Sequence, residues 1–139
     1  QNFSSSQIFS LINLCKILKK KFAIKNSNFL GHSDIAPLRK LDPGEKFPWK
    51  RLNKHKLGRW YKEQKNWRSD NKYKKKEILF FKNLHKLGYR YFNIFKRSKR
   101  DKKIIIAFQQ HFLPNNVSGI IDQKSLKISH FLLEKALNS

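Results

Sequence analysis

The chain has 139 residues, enough for one domain or a domain and a half with a modest core. Hydrophobic residues at 39% and aromatics at 14% exclude a disordered polycation. The formal net charge of +23 demands an anionic partner or surface, and nucleic acid, anionic lipid and anionic cell-wall polymer all remain open.

The wealth of Lys, Asn, Ile and Phe is explained equally well by the codon drift of an AT-rich genome. Cys15 is the single cysteine, so no internal disulfide forms. Its place in an apolar-periodic stretch marks it as a buried structural thiol. The sequence begins at Gln1 and contains no methionine, which reads as a processing site or a cut in a longer protein. No signal-peptide pattern is visible, and no apolar run approaches the roughly 20 residues that span a bilayer.

In chain order, Ser4, Ser5 and Ser6 are N-cap candidates. Ile8, Leu11, Ile12, Cys15, Leu18 and Phe22 then form a helical stripe, with lysines on the other face and in the last turn. After Asn26-Ser27-Asn28, Phe29-Leu30 reads as a short buried strand ending at Gly31, with His32 at its end. From Ser33 to Trp49, Pro37, Pro43, Pro48 and Gly44 forbid regular structure, and Asp42-Pro43-Gly44 signals a turn. A loop this long in a compact domain is a functional one.

Residues 53–76 are densely basic, with Trp60, Tyr61, Trp67 and Tyr73 interspersed. They read as a connecting segment, and the Lys72 to Lys76 run as a solvated linker. A second helix runs from Glu77 to Leu87 on Ile78, Phe81 and Leu84, and Gly88 stops it. Asp101 caps a third, carrying Ile104, Ile105, Phe108 and Phe112 and ended by Pro114. Gly119 turns the chain, and Asp122 caps a fourth with Leu126, Phe131, Leu133 and Leu137. His111 shares a helical face with Ile104 and Phe108, as a core or half-buried histidine does.

The chemistry concentrates in the loop. Imidazole and carboxylate are good Zn²⁺ ligands, and a Pro-bearing loop could bring His32 and Asp42 to one ion. Lys40, two positions before Asp42, could stabilise a developing oxyanion. Asp34 and Arg39 read as loop-structuring groups, the carboxylate accepting backbone N–H bonds and the guanidinium pairing with it. Phe47, Pro48 and Trp49 read as packing that anchors the loop. On spacing alone, unrelated surface residues remain the plainer reading of the His/Asp pair.

Gly31-His32-Ser33-Asp34-Ile35-Ala36-Pro37, Arg39-Lys40, Asp42-Pro43-Gly44 and Phe47-Pro48-Trp49 together resemble the C-terminal signature of the zinc-dependent N-acetylmuramoyl-L-alanine amidases of the AmpD/AmiD-like type, which share their fold with peptidoglycan recognition proteins. Leu87-Gly88-Tyr89 and Ala107-Phe108-Gln109-Gln110-His111-Phe112-Leu113-Pro114 look like the small helical peptidoglycan-binding module that follows the catalytic domain in AmiD-like enzymes.

The resemblance implies an α/β amidase fragment (one helix, one short strand and a long active-site loop) over residues 1–60. A basic linker at 61–76 and a three-helix peptidoglycan-binding-like domain at 77–139 would follow. It implies His32 and Asp42 as two of three Zn²⁺ ligands and Lys40 as the active-site lysine. The implied reaction is hydrolysis of the amide between N-acetylmuramic acid and L-alanine. The family's third ligand and its general-base glutamate lie upstream of the signature. His55, His85, His111 and His130 are all downstream, and Glu45 lies after Asp42, so the chain is expected to lack both. Peptidoglycan or muropeptides are the implied partners and a bacterial cell envelope the implied compartment, with the cytoplasm as alternative. No residue is assigned to substrate binding, and oligomeric state is not legible. A non-catalytic peptidoglycan binder and a basic nucleic-acid-binding protein are the competing readings. Nucleic acid is the less expected partner, because it leaves the His/Asp loop unexplained.

Overall fold

The computed structural model describes residues 2–64 and 75–139. Trp67, Tyr73 and most of the expected linker lie outside them. All regular structure among the described residues is helical: α1 (Ser5–Phe22), a 3₁₀ turn (Asn26–Asn28), α2 (His32–Ile35), α3 (Trp49–Lys54), α4 (Lys76–Leu87), α5 (Asp101–Phe112) and α6 (Gln123–Leu137).

This corrects the α/β expectation. Phe29-Leu30 is not a strand. The Phe29 N–H closes the 3₁₀ turn on Asn26 O (3.4 Å), and Leu30 is exposed rather than buried. A pair of β-prone residues makes a strand only when a neighbour accepts its backbone bonds. None of the described segments does so. The expectation that Ser33 to Trp49 is irregular also yields at its start, where α2 makes one turn before Pro37.

α1 begins with a full capping box: the Ser4 hydroxyl accepts from Gln7 N–H, and the Gln7 side chain accepts from Ser4 N–H. Its buried residues are Ile8 and Ile12, which join Trp49, Leu52 and Leu57 in a small core between α1 and α3. Cys15 packs at the edge of this core half-buried, not fully buried as expected, and burial pushes its thiol pKa up. Phe22 is exposed.

The larger core lies among α4, α5 and α6. Phe80, Phe81 and Phe108 meet edge-to-face at its centre, and α4 lies along α6. Gly88, at φ +111°, ends α4 as expected. Asp101 is not the cap but the first residue of α5. Its carboxylate reaches back to accept from Ser98 N–H at 2.9 Å. Asp122 does cap α6, accepting from Ser125 N–H at 2.7 Å.

The buried face of α6 is Ser125, Leu126, Ile128, Ser129 and Leu132, not the Phe131, Leu133 and Leu137 expected. Two serines sit in that stripe, so a search for apolar residues misplaces it. They are tolerated because they are bonded, Ser129 to Asn83 and Ser125 to Gln109. Gln109 is fully buried. Its amide donates to Ile120 O (2.8 Å), while its carbonyl accepts from the Ser118 and Gly119 N–H groups, which pins the turn between α5 and α6. Trp60 packs against both cores. No helix among the described residues is long and apolar enough to cross a membrane.

Candidate metal site

Gly31, at an ordinary φ of −80°, is required for space. A Cβ there would lie 2.7 Å from Pro43 Cδ and 3.2 Å from Trp49. This close approach lets the loop fold back onto α2, where Ser33 N–H donates to Asp42 O at 2.9 Å.

The return brings His32 and Asp42 together across the loop, with Nδ1 3.2 Å from Oδ2. Both side chains are accessible, at 45% and 64% exposed. Two donor atoms each about 2.0–2.1 Å from a tetrahedral Zn²⁺ stand roughly 3.3 Å apart. The pair therefore fits adjacent ligands of one ion. Lys40 is half-buried, its N–H bonded to Ala36 O at 3.0 Å, and its ammonium is in no ion pair with a described carboxylate. No group of three or more His, Cys, Asp and Glu stands ready for a metal among the described residues. His55 and His85 are exposed, His130 is half-buried, and Glu45 is exposed with Gln110 at 3.4 Å.

Asp34 structures the loop, but through other partners than Arg39, which is exposed. The Asp34 carboxylate is buried and accepts from Gly31 N–H, Tyr89 O–H and His111 Nδ1, each at 2.8 Å. Burial alone would raise its pKa. The attraction of His111, with the bonds from His111, Gly31 and Tyr89, outweighs burial and holds the carboxyl below its usual range. Burial and the Asp34 charge push the Tyr89 phenol well up. The His111 imidazole is 3% exposed and stacked between Trp49 (4.1 Å, 10°) and Phe112 (4.0 Å, 15°). Trp49 therefore anchors the loop, as expected.

The sequence reading missed this cluster. The available signal was His111 on an apolar helix face, since a buried imidazole requires a polar partner. Which partner, 77 positions away, was not readable.

No family model matches the chain. It is 34% identical over 137 residues to the N-acetylmuramoyl-L-alanine amidase AmiD of Escherichia coli, covering 96% of this chain and 49% of that protein. It is 42% identical over 52 residues to the 1,6-anhydro-N-acetylmuramyl-L-alanine amidase AmpD of Haemophilus influenzae, covering 37% of this chain and 28% of that one. Among solved structures, E. coli AmiD with the substrate anhydro-N-acetylmuramic acid-L-Ala-D-gamma-Glu-L-Lys superposes with a TM-score of 0.84 at 34% identity, over 96% of this chain and 53% of that chain. AmpDH3 of Pseudomonas aeruginosa in complex with anhydromuramic pentapeptide gives 0.84 at 29% identity, over 98% and 55%. The chain is a homologue of the AmiD and AmpD amidases, and it spans about half the length of AmiD.

Proposed function

We propose that this chain is the portion of a zinc-dependent N-acetylmuramoyl-L-alanine amidase that carries two of the metal ligands, the active-site lysine and a helical peptidoglycan-binding unit. The carrying observation is the approach of His32 Nδ1 and Asp42 Oδ2 to 3.2 Å on an accessible loop, in a homologue of AmiD. The third ligand and the general base come from the remainder of the protein. The exposure of Phe9, Leu14 and Ile17 on α1, away from the Ile8–Ile12 face, supports this, because a helix apolar on both sides is one that further protein covers.

His32 would hold a zinc ion through nitrogen and Asp42 through oxygen, and the ion would supply Lewis-acid polarisation of the scissile carbonyl and a water of lowered pKa. The Lys40 ammonium donates to the carbonyl oxygen as it takes on negative charge. Water adds across the amide, giving a lactyl carboxylate on the sugar and a free amine on L-alanine. A bacterial cell envelope, with peptidoglycan or its fragments as substrate, suits this reading. There the charge of +23 would hold the protein to anionic wall polymer.

The test is muropeptide cleavage by the complete protein with Zn²⁺, read as release of the stem peptide. His32→Ala and Asp42→Ala are expected to abolish it, while the 139-residue chain alone binds Zn²⁺ weakly and does not turn over. Undiminished cleavage by the Asp42→Ala protein overturns the proposal. A non-catalytic peptidoglycan binder is the second reading, favoured by the lack of a three-ligand cluster among the described residues. Sedimentation with sacculi that survives both substitutions, with no cleavage by the complete protein, would select it.

A further inference from the structure

Tyr89 and His111 belong to the α4–α5 unit, yet their polar atoms end on the loop that carries the metal pair. The receiving carboxylate, Asp34, stands two residues from His32 on the single turn of α2. Its Oδ2 accepts both from Gly31 N–H, at the start of that turn, and from His111 Nδ1, while Oδ1 accepts from Tyr89. One carboxylate thus holds α2 to itself and to the helical unit. The far end of the loop closes on the same imidazole, because Trp49 stacks on His111. Lys103 of α5 adds a tie to the middle of the loop, donating to Leu38 O at 3.2 Å.

We propose that the Asp34–His111–Tyr89 cluster is the positioning device of the metal site, through which the helical unit holds α2 and the loop return in the geometry that presents His32 to Asp42. The inference rests on the metal reading above. Its physical basis is pre-organisation. Two ligands on a loop bind an ion well only when the loop is already ordered, since any ordering left to the binding step subtracts from affinity. The helical unit is then part of the site's support and not only an appended binding module.

The experiment is a Zn²⁺ titration of the 139-residue chain, followed by NMR on the His32 ring signals, which reads weak binding directly. Tyr89→Phe removes one oxygen and keeps the ring. His111→Phe keeps the stack and loses the donor. His111→Asn keeps a donor near the position of Nδ1 and loses the stack. Circular dichroism and melting of each variant verify the fold. The Kd is expected to rise about tenfold for Tyr89→Phe and His111→Phe, at the low end for partners outside the ligand shell, and by less than about threefold for His111→Asn. Variants that melt lower but keep the wild-type Kd overturn the proposal, since that is the mark of a purely structural cluster. His32→Ala is the control. If the wild-type chain gives no response, or this variant binds as well as wild type, the metal reading itself fails and takes the inference with it.

Discussion

Among the described residues, two histidine–aspartate pairs of similar chemistry lie in opposite surroundings. His32 and Asp42 meet at 3.2 Å with 45% and 64% of their side chains exposed. His111 and Asp34 meet at 2.8 Å with 3% and 4% exposed. The first pair is long, screened and free to exchange its contact for a cation. The second is short and buried, bonded by Tyr89 and Gly31 and covered by the Trp49 stack, with a large penalty for losing a partner. Burial, not residue type, separates an accessible pair from a structural one. The two pairs interleave along the chain, Asp34 lying between His32 and Asp42, so the buried pair stands on the same loop as the accessible one.

Substitutions that sharpen this contrast differ widely in expected size. Asp34→Ala should cost most, about 3–5 kcal/mol in urea unfolding, because it leaves a buried imidazole and a buried phenol without their acceptor. A cost below about 1 kcal/mol would show that the cluster is open to water. Gly31→Ala should cost about 1–3 kcal/mol by overpacking, since the new Cβ meets Pro43. It should also weaken Zn²⁺ binding, because Pro43 adjoins Asp42; unchanged binding would mean that the loop return tolerates movement. His32→Ala and Asp42→Ala should change stability least, by about 0–1 kcal/mol as for exposed ion pairs. They should nonetheless remove the Zn²⁺-induced shifts in NMR spectra. A large loss of stability in either would erase the distinction between the two pairs.

The loop stands out in the sequence as the chemically distinctive stretch. The unbroken run from Gly31 to Trp49 carried the resemblance that singled out His32, Lys40 and Asp42, and the loop does bring His32 and Asp42 together. Asp34 was recognised as a structuring group with the wrong companion, because Arg39 is its neighbour in sequence while His111 is its neighbour in space. The strand at Phe29-Leu30 failed for a related reason: strand identity is conferred by a pairing partner, and the local turn at Asn26–Asn28 claims that backbone first. On α6 the apolar search overlooked Ser125 and Ser129, which enter the core only because Gln109 and Asn83 bond them.

The sequence by itself determined the four longer helices, through their periodicity, caps and stops: Ser4 and Asp122 at the beginnings of the first and last, Gly88 and Pro114 at or beyond the ends of the two between. It also determined the chemistry of the loop, because ligand type and turn residues are local properties. Only the tertiary structure decided which carboxylate is buried and what it bonds. Such a bond forms between positions far apart in the chain, and its worth depends on the water that packing excludes. The close return at Gly31 and Pro43 and the Trp49–His111 stack belong to the same class. They join the loop to the helical unit, and neither segment carries that information alone.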